Sequence, residues 1–327
     1  MRICILSDCA APTAHDYPGH GLGQAVSTLA QTLAIRGHDV VLIAAEDSHF
    51  PEGELHTPTP IADYRGEQVM AQFGMKLHQK KPFKVFIDNS HSKILSHFLP
   101  THPIVSVYHD RWMRPGAPNP ILVSEGLRAF PEMNWAQTAK VIHHVLNPAS
   151  FPFVETPHYP PFALFCGIVR DYKNPTLAVE ASIKADIDLY IIGNQTSPLF
   201  GQYSRCKYLG MVNKGQRAFI MGNASVHLQL GDSESFGLTT IEIGLCGTPT
   251  VAIPRGGSVD LIQYEDGTKP LNGVFIQMSR NMVQSVADSI YAAISLSREA
   301  TRKVALQFCD AGSYVLKWEQ VLVEVAR

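Results

Sequence analysis

What this 327-residue chain lacks narrows its chemistry before any motif is read. No stretch reaches the 18 apolar residues expected of a membrane-crossing helix. The six cysteines (Cys4, Cys9, Cys166, Cys206, Cys246, Cys309) form no Cys-x-x-Cys pair and show no framework spacing. That points away from zinc ribbons and disulfide scaffolds and toward buried, reduced thiols. Charge of one sign is scarce as well. A net charge of −2, with 17% charged residues, gives no global field to draw in nucleic acid or an anionic membrane. The densest basic run is Lys76-Leu77-His78-Gln79-Lys80-Lys81-Pro82-Phe83-Lys84. It has two readings: a solvated helix end with its loop, or a patch touching a membrane surface or nucleic acid, with Arg111 and Arg114 extending it. Met1–Asp8 is too short an apolar run for a signal peptide and reads as a first strand. The expected compartment is a reducing cytoplasm, with a peripheral site on the inner membrane face as the alternative.

What is present is a regular alternation. Short apolar runs at Ile3–Leu6, Val40–Ala44, Val85–Ile87, Ile104–Val107, Ile121–Val123 and Val141–Ile142 predict strands. Between the first two, Ala25, Val26, Leu29, Ala30, Leu33 and Ala34 form a helical stripe over Ala25–Arg36 that Gly37 ends. A loop rich in proline and aromatics, Asn147–Pro161, breaks the pattern and marks a boundary. Beyond it the alternation restarts. Strands are predicted at Ala163–Gly167, Leu189–Ile192, Val226–Gln229 and Thr250–Ile253, with helices at Pro175–Ala185, Leu238–Leu245, Met282–Leu296 and Tyr314–Val325. This predicts two doubly wound α/β domains facing each other, residues 1–150 and 151–305, followed by a helical segment over 306–327. Ligands of such sheets sit beyond the carboxyl ends of the strands.

The chemistry concentrates in Gly231–Pro249. A strand ends near Leu230, a polar turn follows, and a helix starts at about Leu238. The N–H groups of Phe236, Gly237 and Leu238 would lie unpaired there and, with Ser235, offer a diphosphate site backed by the helix dipole. Gly237 would let the anion approach the backbone. Glu234 and Glu242 flank this site, and two carboxylates would repel an anion unless they bind neutral hydroxyls between them. The other reading is that each merely complements the helix dipole. No capping-box spacing favours it, since Phe236 and Leu238 stand three residues after Ser233 and Ser235.

The segment Glu234–Glu242 resembles the Glu-x7-Glu signature of the retaining GT-B glycosyltransferases, the family of sucrose synthase, bacterial glycogen synthase and phosphatidylinositol mannosyltransferase. Motifs resembling that family's run in order along nearly the whole chain: Gly21-Leu22-Gly23 with Arg36–Val40, Tyr108-His109-Asp110, Val123–Arg128, Gly167 to Pro175, Tyr208–Val212, Cys246–Pro249 and Gly256–Ser258. The resemblance implies a GT-B fold of two Rossmann-like domains around a central cleft and transfer of a sugar from a nucleoside-diphosphate donor with retention. It also implies no cofactor and no essential metal, and no Asp-x-Asp metal run is expected. Glu242 would take the ribose hydroxyls, Glu234 the hydroxyls of the transferred sugar, and Lys173 the departing diphosphate. Met211 and Val212 would lie beside the base. His109 would reach the donor sugar from the N-terminal domain, and Gly21 and Gly23 would let a loop close on the phosphates.

Two departures stand out. Ile168 replaces the arginine often found after the strand glycine, leaving Arg170 as the nearest substitute, and His20 stands where a glycine is usual. His20, Asp110 and Arg111 are the candidate acceptor-side residues. The acceptor is expected to be a hydroxyl of a glycan, a lipid-linked sugar or a small molecule. Transfer onto modified nucleic acid, nucleotide-sugar epimerisation and non-catalytic nucleotide-sugar binding are the alternatives.

Overall fold

The computed structural model describes residues 1–14, 21–61, 64–194 and 204–327, and they form two compact units, Met1–Val145 with Asp310–Arg327, and Leu146–Cys309. The first unit opens with β1 (Arg2–Leu6), α1 (Gly21–Ile35), β2 (Asp39–Ala45), β3 (Glu54–Thr59) and α2 (Tyr64–Lys80). It continues through β4 (Val85–Asp88), α3 (Leu95–Phe98), β5 (Ile104–Tyr108), β6 (Pro120–Leu122) and β7 (Lys140–Val141). These strands make one parallel sheet in the order β3-β2-β1-β4-β5-β6-β7. Its central strands are buried on both faces, which is why they read as continuous apolar runs.

The second unit repeats the scheme. Its elements are β8 (Phe162–Cys166), α4 (Pro175–Lys184), β9 (Asp188–Ile192), β10 (Cys206–Gly210), α5 (Lys214–Asn223), β11 (Val226–Gln229), α6 (Leu238–Leu245), β12 (Thr250–Ala252) and α7 (Ser258–Leu261). A short antiparallel pair, β13 (Tyr264–Glu265) and β14 (Lys269–Pro270), leads to β15 (Gly273–Phe275), α8 (Met282–Ile294) and α9 (Arg298–Ala305). The parallel sheet runs β10-β9-β8-β11-β12-β15. Ala163, Leu189, Ile191, Val226, Leu228, Val251 and Ile290 build its core. Arg298 anchors the entry segment: its guanidinium donates to the carbonyls of Val154, Gly222, Ala224 and Cys246, positive charge set against helix carboxyl ends.

The closing helix, α10 (Ala311–Val325), belongs to the first unit and packs on α1, where Glu319 accepts two hydrogen bonds from Arg36 at 3.1 Å. Among the described residues no helix is long and apolar enough to cross a membrane.

In each sheet the strand order reverses once, between β1 and β4 and between β8 and β11. Helices leave a parallel sheet to opposite sides at such a point, opening a crevice beyond the carboxyl ends. The residues that follow Leu6, Asp88, Cys166 and Gln229 are therefore the ones to inspect.

Candidate functional site

The crevice beyond β8 and β11 is the richer. After β8 the chain turns through Asp171–Lys173, and Asn174 adopts a left-handed φ of 53° that starts α4. The Asn174 amide donates to the Leu230 carbonyl at 2.8 Å, tying this turn to the end of β11. Lys173 thereby faces the polar turn that follows β11. Its ammonium donates to Glu234 Oε2 at 2.5 Å, and Gln229 Nε2 donates to the same oxygen at 2.5 Å. The Phe236 N–H also donates to the Glu234 carboxylate. Burial pushes the Glu234 carboxyl up, but Lys173 and these neutral donors outweigh it and hold the group below the usual range. Burial would lower Lys173, and the Glu234 charge reverses that, so the pair is ionised.

Gly237 caps α6 in the left-handed region, φ 103°. Gly257 lies against it so closely that a Cβ there would sit 2.2 Å from the Phe236 carbonyl oxygen. The first α-type bond of the helix is Ile241 N–H to Gly237 O. The N–H groups of Leu238 and Thr239 are thus without an intrahelical acceptor. The expectation of three unpaired N–H groups needs one correction: Phe236 gives its own to Glu234.

Glu242, a turn further along α6, is only 3% exposed. Its Oε1 accepts from Arg217 on α5 at 3.0 Å, while its Oε2 is buried with no hydrogen-bond partner among the described residues. Burial raises the carboxyl, and Arg217 offsets that only in part. Each glutamate therefore has its own cation, an arrangement the sequence reading did not foresee. Arg217 was missed although the Asn213–Gln216 capping box that starts α5 is visible in the sequence. Arg170 is exposed at the cap of its turn, Met211 is half-exposed, and Val212 lines a shallow open depression of about 560 Å³ with Leu209 and Phe219.

In the first unit, His109 follows β5 and Asn89 follows β4. His109 Nε2 is 2.9 Å from Asn89 Oδ1, and the ring stacks on His144 at 5.3 Å. Asp110 Oδ1 accepts from the Trp112 and Met113 N–H groups, and Oδ2 is 3.3 Å from His91 Nε2. Arg111 lies between the rings of Trp112 and Phe130 at 4.5 and 4.6 Å. Asp110 and Arg111 are thus engaged locally. Gly21 and Gly23 are in the first turn of α1 rather than in a loop, contrary to expectation, and His20 lies outside the described residues.

Two further expectations are corrected. Lys76–Lys84 precedes β4, at the amino end of the sheet, whereas Arg111 and Arg114 follow β5 at its carboxyl end, so they form no common basic stripe. An Asp-x-Asp run does occur, Asp186-Ile187-Asp188, at the amino end of β9; Asp186 is paired with Arg205 at 2.7 Å. Among the described residues no group of three or more His, Cys, Asp or Glu side chains is placed to hold a metal ion.

Residues 148–305 match the family model described as glycosyl transferases group 1. The sucrose-phosphate synthase of Thermosynechococcus elongatus superposes with a TM-score of 0.79 at 18% identity, covering 99% of this chain and 98% of that one. AviGT4, a glycosyltransferase involved in avilamycin A biosynthesis, gives 0.75 at 18% identity over 99% and 98%. The Anabaena protein HepE in complex with UDP-glucose gives 0.72 at 16% identity over 99% and 100%. Comparison with curated proteins finds no match. The chain has the GT-B fold of two Rossmann-like units.

Proposed function

We propose that this chain is a retaining, metal-independent glycosyltransferase that moves a sugar from a nucleoside-diphosphate sugar to a hydroxyl acceptor. The observation that carries it is the pair of carboxylates beyond β8 and β11, the half-buried Glu234 closed by Lys173 and the buried Glu242 holding an unpartnered oxygen. Glu242 Oε2 suits a ribose hydroxyl, a neutral donor that adds no charge to a buried anion. Lys173 and the Leu238 and Thr239 N–H groups suit the diphosphate. When the donor enters, Lys173 turns to the phosphates, while Glu234 keeps Gln229 and the Phe236 N–H and takes hydroxyls of the sugar. Gln229 therefore keeps Glu234 satisfied once its cation has moved.

In the reaction the bond from the anomeric carbon to the diphosphate oxygen breaks and a bond to the acceptor oxygen forms on the same face. The acceptor proton passes to the departing diphosphate. Lys173 stabilises the charge that grows on that leaving group, the task a metal performs in other transferases, and Glu234 lies near the positive charge growing on the sugar. A UDP-sugar is the first donor to try, since HepE holds UDP-glucose.

The test is release of nucleoside diphosphate from a panel of sugar nucleotides, with and without acceptor sugars, lipid-linked sugars and small alcohols, in EDTA. Acceptor-dependent release that EDTA leaves unchanged is the expected result. Release requiring Mg²⁺ or Mn²⁺ would overturn the metal-free reading, and release of free nucleotide without any acceptor would favour epimerisation.

A further inference from the structure

We infer that Arg217 is a positioning residue that binds one oxygen of Glu242 and leaves the other for a hydroxyl of the ligand. That this hydroxyl belongs to a ribose rests on the glycosyltransferase reading above; the hold on Glu242 does not. Both residues lie in the second unit, Arg217 on α5 and Glu242 on α6. An arginine and a carboxylate that serve only the fold meet best as a fork, two parallel bonds that satisfy both oxygens. Arg36 and Glu319 do so, Nε to Oε1 and Nη2 to Oε2, each at 3.1 Å. Arg217 and Glu242 do not. They share a single bond, Nη2 to Oε1 at 3.0 Å. Glu242 Oε2 and Arg217 Nε are both buried and without a hydrogen-bond partner among the described residues. Two orphaned atoms in one buried pair are a cost that a fork would have removed.

The open geometry is held from both helices. The Asn213–Gln216 capping box fixes the start of α5 just before Arg217, whose guanidinium lies over the Phe151 ring, 5.9 Å from its centroid. Glu242 stands in α6 between the buried Ile241 and Ile243. Burial raises its carboxyl, and Arg217, then Lys214, pull it down. The neighbouring thiols of Cys166 and Cys246 are pushed up to about 12 by burial and stay neutral. Removing Arg217 therefore favours protonation of Glu242, and a protonated carboxyl turns one of its oxygens into a donor. The single bond from Arg217 thus keeps Glu242 an acceptor and keeps Oε2 out of the ion pair.

The test is a double-mutant cycle read by calorimetry. UDP, ADP, GDP and CDP are screened on the wild type, and the tightest is carried through. Arg217→Met and Glu242→Gln should each weaken binding about 10- to 100-fold. In the Glu242→Gln background, Arg217→Met should cost less than about twofold more, because a positioning residue acts only through the group it positions. Losses that add would mean that Arg217 touches the nucleotide itself, and would overturn the inference; so would an unchanged affinity in Arg217→Met. Melting curves accompany every variant. Arg217→Gln, which retains an N–H donor without the charge, replaces Arg217→Met should that variant not fold. The ligand-free protein gives an independent answer through ¹³C-carboxyl spectra, with Glu242→Gln identifying the signal. Glu242 should titrate about one pH unit higher, or more, in the Arg217 variant than in the wild type. An unchanged titration overturns the inference. If the titration moves as expected and no nucleoside diphosphate binds the wild type, the transferase reading fails and the hold on Glu242 stands.

Discussion

The two units carry ionised clusters at equivalent places in their sheets, yet the clusters are built to opposite ends. Beyond β4 and β5, Glu67 accepts from the His91 and Ser92 N–H groups and the Ser92 hydroxyl, and His91 lies between Glu67 and Asp110. Lys93, fully buried, donates to the carbonyls of Ser90 and Val107 and so ties the ends of β4 and β5 together. Asp88 accepts from Ser90 and Leu95. These charges are satisfied by the protein itself and make a rigid ledge for His109. Beyond β8 and β11 the accounts differ: Glu242 retains an unpartnered oxygen, and two first-turn N–H groups lack an intrahelical acceptor. A buried polar atom without a partner costs about 1–3 kcal/mol, which a ligand can return. One ledge is completed by folding, the other by binding.

The sharpest way to break this contrast is to remove Lys173. Lys173→Ala should lower turnover by about 1,000-fold, the scale of losing a transition-state charge partner. Glu234 keeps Gln229 and the Phe236 N–H, so the fold should survive. Steady-state kinetics and a melting curve on the same sample measure both. A loss of stability matching the loss of rate would make the pair structural, like those of the first unit.

The first unit is tested by pH. His91 is raised from 6.5 to about 9: burial lowers it, and Asp110 and Glu67 more than reverse that. Its stabilisation is complete below pH 6.5 and is lost as the pH rises through 9, because the folded state binds the extra proton there. The loss is on the order of 3 kcal/mol. Lys93 works in the opposite sense. Burial lowers it to about 8 from 10.5, so its penalty is relieved as the pH climbs between those values. His91 therefore governs the interval from 6.5 to 8, apart from any weaker contributions. Urea denaturation across that interval should show falling stability in the wild type and a flat response in His91→Gln. The variant leaves Glu67 with its backbone donors, so it should fold.

For the second unit, Glu242→Gln keeps the shape and removes the charge. Nucleoside diphosphate affinity should fall about 10- to 100-fold by calorimetry, the range expected for weakened charge-assisted bonds to ribose. Unchanged affinity would return Glu242 to the role of a buried partner for Arg217.

How far these features could be read from the sequence follows from where their causes lie. Doubly buried strands declare themselves as apolar runs: Ile3–Leu6 falls within β1, and Leu189–Ile192 within β9. Edge strand β3 does not, because Glu54–Thr59 is polar, holds Pro58 and is mostly half-buried. Helix α2 is masked by its own glycines. A Cβ at Gly66 would lie 3.0 Å from Cys9 Sγ, and one at Gly74 the same distance from Ile43 Cδ1. The residues that argue against a helix in sequence are those that let it lie close on the sheet. Local signals placed Glu234 and Glu242 around a helix start, and the family resemblance pointed to Lys173 and His109. Their partners Arg217, Gln229 and Asn89 come from other elements, and such pairings appear only once the chain is folded.

The smallest expected effect concerns Arg170, the nearest arginine to the position filled by Ile168. Its neighbour three residues on, Lys173, is held at one end by its N–H donating to the Arg170 carbonyl and at the other by Glu234. Arg170 itself precedes the turn in extended backbone, φ −136°, with its side chain exposed to water. A flexible exposed cation gains little from a phosphate in high dielectric and loses rotamer freedom in reaching it. Arg170→Ala should therefore weaken nucleoside diphosphate binding by less than about threefold, with a shallow dependence on salt. Lys173→Ala, measured beside it, should show the larger loss. Should Arg170→Ala cost tenfold or more, this arginine must swing inward on binding, and the second unit would then complete its ledge by moving a side chain from the surface as well as by filling a vacant oxygen.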